Sequence, residues 1–217
     1  MGTNVRVGAV EKTFDVIRTL DELDGATATA VAEELDIPVS TAHDYLQSLE
    51  DVGAITRSGQ AYQPSLRFLK YGEAQKRRMA EFVEGKEPMQ DLAAKTGEHI
   101  SLMVAERGRC VLVHVEEGAD SVSFKSYPGI AMYMHATAPG KAMLASMSDG
   151  EIEEVLAEYG LPRITPYTIT DEDALWADIQ EIRETGVATD TSELIEDLYC
   201  VGAPIHNRQA NRLAALS

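Results

Sequence analysis

Val31-Ala32-Glu33-Glu34-Leu35-Asp36-Ile37-Pro38-Val39-Ser40-Thr41-Ala42-His43 carries two helical fragments joined by residues that neither can absorb. Thr29 offers a hydroxyl to cap a helix over residues 30–35, with Val31, Ala32 and Leu35 on its inward face. Asp36-Ile37-Pro38-Val39 then makes a tight turn, because proline fixes its own φ and has no N–H to continue the ladder. The next helix is predicted from about Ser40 to Val52, where Ala42, Leu46 and Leu49 share one face at spacings of four and three. Ser40, Thr41, His43, Asp44, Gln47 and Ser48 are left on its other faces.

Upstream, Val10, Phe14, Ile17, Leu20 and Leu23 recur at helical spacing between Ala9 and Asp24, and Gly25 follows as a terminator. Downstream, Gly53 ends the third helix. Ala54–Arg57 and Gln60–Gln63 then read as two short strands around Ser58-Gly59. Three short helices, a sharp turn before the third and a hairpin wing form the arrangement that lays the third helix in a DNA major groove. On that reading the Ser40 and Thr41 hydroxyls and amides meet a phosphate at the helix N-terminus, and Arg57 meets another from the wing. Gln47 is suited to adenine and Asp44 to cytosine N4, with His43 beside them, although a histidine there serves equally as a helix-surface residue. A three-helix bundle that docks on another protein would show the same pattern.

Charge argues against DNA. The chain has 19 basic and 36 acidic side chains, a net of −17, and residues 1–70 alone have 6 and 11, a net of −5, opposite to the usual footprint of a DNA binder. Lysine is scarce, 7 against 12 arginines, and acids spread through every segment. This composition is that of cytoplasmic proteins from salt-loving organisms, where molar salt screens the repulsion, and it predicts a halophilic source. No stretch approaches the roughly 18 uninterrupted apolar residues of a membrane span, and Met1 leads into polar sequence rather than a secretory signal. Two cysteines, Cys110 and Cys200, offer no disulfide framework. The expected location is the cytoplasm, with no membrane partner.

Four runs, in order along the chain, are similar to one family. Val31 to His43 resembles the turn and recognition-helix start of the IclR (isocitrate lyase regulator) transcription regulators, with Ser40-Thr41-x-His43 intact. His135-Ala136-Thr137-Ala138-Pro139-Gly140-Lys141-Ala142, Leu161-Pro162-Arg163-Ile164-Thr165-Pro166-Tyr167-Thr168-Ile169-Thr170 and Cys200-Val201-Gly202-Ala203-Pro204 resemble its later motifs. The resemblance spans about residues 9 to 217. It departs at Asp44, where the family commonly has arginine, and the chain ends within what resembles the last core strand, without the family's terminal helix.

The fold class this implies is α+β: a winged helix-turn-helix domain over residues 1–70, a linker helix over 71–87, and a GAF-like α/β effector domain with a central antiparallel sheet over 88–217. The resemblance also implies a homodimer, with a tetramer as its further assembly, on a palindromic DNA operator of a catabolic operon, controlled by a small organic acid. In the linker, Leu66, Leu69, Ala74, Met79 and Phe82 give an apolar stripe beside the basic run Lys76-Arg77-Arg78. Beyond it the residues predict a helix from Pro88 to Thr96, strands over 100–105 and 110–115, a Ser148/Glu151 capping box and a helix capped by Thr170 and ending at Gly186. Strands over 200–205 and 212–217 close the domain.

The effector site is placed by the resemblance at Ala138, Pro139, Gly140, Asp190, Cys200 and Ser217, with Phe124 and Met132 as apolar wall. Backbone N–H groups ahead of the Gly140 helix would hold the carboxylate, although Pro139 supplies none. Cys200 serves equally as a small core residue, and Lys141 reads as a surface position. Cys110, His114, His135 and Cys200 lack the spacing of a closed metal site, and no local motif supplies Cys200 with an oxyanion hole for a Cys-His-Asp hydrolase. No catalytic residue, metal or cofactor is assigned. The competing reading is a ligand-binding or protein-interaction module that has lost DNA binding, favoured by Asp44 and the acidic first seventy residues.

Overall fold

The computed structural model describes residues 6–121, 126–207 and 212–217, with the backbone alone at His206 and Asn207. They pack as two units, one through Gln75 and one from Lys76.

The first unit is α1 (Gly8–Glu22), α2 (Ala28–Glu34), α3 (Val39–Asp51) and the hairpin β1 (Ile55–Ser58) with β2 (Ala61–Pro64), followed by α4 (Arg67–Lys76). Its core gathers Val16 and Leu20 of α1, Val31 and Ala32 of α2, Ala42, Leu46 and Leu49 of α3, and Ile55 and Tyr62 of the wing. Each large aliphatic there contributes about 1.5–3 kcal/mol by leaving water. Asp36 takes a left-handed φ of +49° between α2 and α3, a conformation that aspartate tolerates, and Ile37 N–H returns to the Ala32 carbonyl at 3.0 Å. The wing is tied to the turn after α1 by two backbone bonds between Ala26 and Tyr62. Gly25 makes that approach possible, since its φ is +95° and a Cβ there would lie 3.3 Å from the Tyr62 carbonyl oxygen.

The second unit is built on a six-stranded antiparallel sheet in the order β5-β4-β3-β8-β7-β6. Its elements are α5 (Ala80–Thr96), β3 (Ile100–Glu106), β4 (Arg109–Glu116), β5 (Ala131–Tyr133), α6 (Ala138–Ala145), α7 (Asp149–Tyr159), α8 (Glu172–Thr185), β6 (Ala188–Thr191), β7 (Tyr199–Asn207) and β8 (Arg212–Leu216). The central strand β3 is buried from Ile100 to Val104 because both faces of the sheet are covered. Leu102 and Val104 meet Met89 and Ala93 of α5 on one side. Met103 joins Leu112, Met143, Leu144, Leu175 and Ile179 under α6, α7 and α8 on the other.

Helix ends and one helix face differ from the sequence reading. Thr27, not Thr29, caps α2: it sits in extended backbone and its Oγ1 accepts from Ala30 N–H at 3.3 Å, while Thr29 is already helical. Likewise Asp171, not Thr170, caps α8 through Ala174 N–H, and the Thr170 hydroxyl receives Arg163 instead. The helix expected to begin at Pro88 starts at Ala80 and runs through it, accepting the loss of one ladder donor. On α1 the buried side chains are Val16, Thr19 and Leu20, whereas Val10 and Phe14 are 51% and 62% exposed. At about 100° per residue, Val10 and Phe14 lie roughly a third of a turn from Val16 and Leu20, with Ile17 partly buried at the margin of the core. The helix therefore has two apolar faces, and the core of this unit takes one.

Candidate functional site

The outward side of α3 is built by what its inward side must do. Burial of Ala42, Leu46 and Leu49 leaves Ser40, His43, Asp44, Gln47, Ser48 and Asp51 exposed and Thr41 half-buried. Pro38 holds the N-cap position and offers no capping side chain, so the first-turn amides of Val39, Ser40 and Thr41 keep their donors for an outside acceptor. Ser48 Oγ is spent on the Asp44 carbonyl at 2.7 Å, and Gln47 Nε2 donates to Asp51 Oδ1 at 3.0 Å. In the wing, Arg57 is exposed. Its Nε donates to the Gly59 carbonyl at 3.0 Å and its guanidinium lies 5.2 Å from the Tyr62 ring centre. The six residues read from the sequence as contacts thus lie on α3 and its hairpin, in one unit. Asp51, which receives the Gln47 amide, was not singled out in the sequence, because a carboxylate at a helix C-terminus carries no signal of its own there.

In the second unit, α6 begins where β7 crosses it. A Cβ on Gly202 of β7 would stand 2.7 Å from the Ala138 carbonyl carbon and 2.8 Å from Pro139 N, so only glycine permits the crossing. Ala138, Pro139 and Gly140 are buried there. The expected amide cradle is narrower than the sequence suggested. Pro139 has no N–H, Gly140 N–H goes to Thr137 Oγ1 at 3.0 Å, and Lys141 N–H goes to the Thr137 carbonyl at 2.9 Å, which leaves the Ala138 amide.

Asp190 pairs with Cys200 across the β6–β7 ladder, and the Cys200 thiol hydrogen-bonds Ser217. Burial, reinforced by the Asp190 carboxylate, pushes this thiol up to about 11, so at neutral pH it is an uncharged S–H rather than a nucleophilic thiolate. Asp190 is 3% exposed and accepts Glu193 N–H at 2.7 Å, and burial lifts its carboxyl from 3.8 to about 6. Met132 lies on β5, the opposite edge strand of the same sheet, with its ladder partner Cys110. Phe124 falls outside the described residues.

Lys141, read from the sequence as a surface position, is 1% exposed, with its Nζ 2.7 Å from both Glu193 Oε1 and Asp178 Oδ2. The run that resembles the family motif ends here as well: Thr165 Oγ1 donates to the Ser192 carbonyl and Thr168 Oγ1 to that of Glu193, each at 2.7 Å. A separate cavity of about 490 Å³ opens on the α5 side of the sheet, lined by Met89, Leu92, Leu102, Ile205 and Leu216 and by none of the expected effector residues. Among the described residues no cluster of three or more His, Cys, Asp or Glu could hold a metal ion, and no helix is long and apolar enough to cross a membrane.

The raised Asp190 carboxyl gives a pH signature. The folded chain keeps a proton that the unfolded chain releases, so stability falls as pH rises from about 4 to about 6. Asp190→Asn removes that loss. The unfolding free energy of wild type relative to this variant is expected to drop by on the order of 3 kcal/mol across the window, read by urea titration at stepped pH. Parallel curves would refute it.

Two family models match the chain. The one described as "IclR helix-turn-helix domain" covers residues 9–59, and the one described as "Bacterial transcriptional regulator IclR C-terminal" covers residues 78–217. The "Probable HTH-type transcriptional regulator ArcR" of Halobacterium salinarum is 27% identical over 218 residues, covering 98% of this chain and 82% of that protein. The Thermotoga maritima IclR crystal structure superposes with a TM-score of 0.73 at 27% identity, covering 96% of this chain and 85% of that one. An IclR homolog of Microbacterium hydrocarbonoxydans, solved with 4-hydroxybenzoate, shares the fold with a TM-score of 0.77 at 22% identity, covering 96% and 88%.

Proposed function

The chain belongs to the IclR family of transcriptional regulators, and from that premise we propose that it binds a palindromic operator of a catabolic operon as a homodimer and responds to a small organic acid. The family supports DNA binding and transcription regulation, a non-enzymatic role. The observation that carries the reading is the division of α3: its apolar face is consumed by the core, while its uncapped first turn and Asp44 and Gln47 face outward. Two copies follow from the apolar surface this unit leaves exposed, including Val10, Phe14 and Leu69, and a two-fold dimer requires a two-fold operator. The domain assignment proposed is residues 1–70 for DNA, 71–87 for the linker and 88–217 for the effector, with the units themselves meeting at Gln75 and Lys76 and α5 running across the 87/88 boundary. For the last, support comes from the Asp190, Cys200 and Ser217 cluster beside α6 and from the Microbacterium homolog's bound aromatic acid. A cytoplasmic, salt-loaded setting is supported by the −17 charge and by the Halobacterium relative.

Asp44 favours a second reading, in which the winged helix no longer binds DNA, because a carboxylate facing phosphates costs affinity. One experiment separates them. Wild type and Asp44→Arg are tested by electrophoretic mobility shift against a genomic duplex library in molar KCl. Wild type is expected to retain a palindromic duplex. Asp44→Arg is expected to bind it only a few-fold more tightly in molar KCl and about 10- to 100-fold more tightly near 0.1 M, a salt slope steeper by about one to two phosphates. Unchanged site preference would assign position 44 to the backbone; a changed preference at one pair would assign it to a base. Retention of no duplex by either folded protein would end the DNA reading.

A further inference from the structure

We propose that Asp51 is a positioning residue for base recognition, fixing which way round the Gln47 amide meets a base edge. The inference rests on the DNA-binding reading above and goes beyond it by assigning a role to a residue that touches no base. Gln47 and Asp51 stand four apart on α3, both exposed, and Gln47 Nε2 donates to Asp51 Oδ1 at 3.0 Å.

The chemistry of the pair removes an ambiguity. A free glutamine amide can present its oxygen and nitrogen in either order, because the two orientations have almost the same shape. A carboxylate is an acceptor only, so Asp51 attracts Nε2 and repels Oε1. One of the two amide hydrogens is then committed. The other remains beside Oε1, and together they match adenine, whose N7 accepts and whose N6 donates. With the carboxylate absent, the flipped amide becomes available and the discrimination weakens.

As an i,i+4 pair the Gln47–Asp51 bond stabilises α3 only slightly, and the position of Asp51 works against that gain. It is the last residue of α3, where the unpaired carbonyl groups already concentrate partial negative charge and a cation is the favoured side chain. It also adds repulsion toward phosphates. Ser48 does not compete for Gln47, since its hydroxyl is spent on the Asp44 carbonyl. What Asp51 supplies is orientation.

The test selects duplexes from a random library at fixed KCl with four full-length proteins: wild type, Gln47→Ala, Asp51→Ala and Asp51→Asn. Wild type is expected to prefer adenine at one pair per half-site by roughly 5- to 150-fold, and Gln47→Ala to abolish that preference. Asp51→Ala is expected to lower it at least threefold at that pair alone. Asp51→Asn, whose own amide can turn either its oxygen or its nitrogen toward Gln47, is expected to lower it as well. Both Asp51 variants lose a negative charge, so both should bind all duplexes somewhat more tightly; base preference, not affinity, is the readout. Full preference in Asp51→Ala or in Asp51→Asn, or no effect of Gln47→Ala, would overturn the proposal while leaving DNA binding intact. Retention of no duplex by wild type would overturn both.

Discussion

Lys141→Met is expected to destabilise the second unit by about 3–5 kcal/mol, because it strands one buried and one half-buried carboxylate that now share one ammonium. The geometry sets the size of the effect. Lys141 Nζ lies 2.7 Å from Glu193 Oε1 and 2.7 Å from Asp178 Oδ2, and those side chains are only 9% and 23% exposed. Glu193 Oε2 has no hydrogen-bond partner among the described residues, so the ion pair is this carboxylate's main compensation. Asp190 stands next to it, held through Glu193 N–H. Methionine fills much of the lysine's volume, which keeps a cavity from confusing the result. For a chain of this size the loss corresponds to a fall in Tm on the order of 10 °C.

The double variant Lys141→Met with Glu193→Gln identifies the cause. If charge is what is lost, neutralising Glu193 recovers more than half of the deficit, since a neutral amide costs far less to bury than a lone carboxylate. If packing is what is lost, the second change adds its own cost. A single variant within 1 kcal/mol of wild type, measured by urea unfolding, would mean that water reaches these groups and that the cluster holds nothing together.

This cluster marks the limit of what the sequence could say. In the first unit the periodicity of Val31, Ala32, Leu35 and of Ala42, Leu46, Leu49 is a local signal, and one face of each helix is buried, so the two helices and the turn at Pro38 were legible. Around Lys141 the signal fails for a physical reason. Every residue from Ala138 to Leu144 is buried, so α6 has no polar face to betray its orientation. The partners Asp178 and Glu193 lie 37 and 52 positions away with no spacing that links them.

Cap positions failed differently. Thr27 competes with Thr29, and Asp171 with Thr170, and which one leaves helical geometry is settled by how the chain enters the helix rather than by side-chain type. The family resemblance named residues at the start of α6 and on β6 and β7, yet it could not show that Thr137 already occupies the Gly140 amide. On α1, two apolar faces were present in the sequence and the reading merged them. Only packing distinguishes the face that serves the core from the face that stays exposed.

Gly140→Ala is the other change expected to be severe, and its reason is steric. A Cβ at this position would fall on the Met134 carbonyl oxygen, 2.5 Å from Thr137 Oγ1 and 2.6 Å from Met134 Cα. Two of those atoms are backbone and cannot swing aside. Relief requires moving the 3₁₀ turn over Met134–Ala136 or the start of α6, and the second route breaks the bond from Gly140 N–H to Thr137 that caps the helix. Overpacking of this kind costs about 1–3 kcal/mol, and loss of a cap about 1 kcal/mol more, so a total of about 2–4 kcal/mol is expected. Displacement is also resisted from the far side, where Gly202 of β7 already packs against Ala138 and Pro139. Gly150→Ala supplies the control: it lies in the first turn of α7, where an added Cβ would have nothing within 4 Å, so the same chemical change should be neutral or stabilise by up to about 1 kcal/mol. Equal unfolding free energies for the two variants would mean that α6 is not seated against the Met134 turn. Because Ala138 to Gly140 belong to the proposed effector site, that result would also remove its geometric basis.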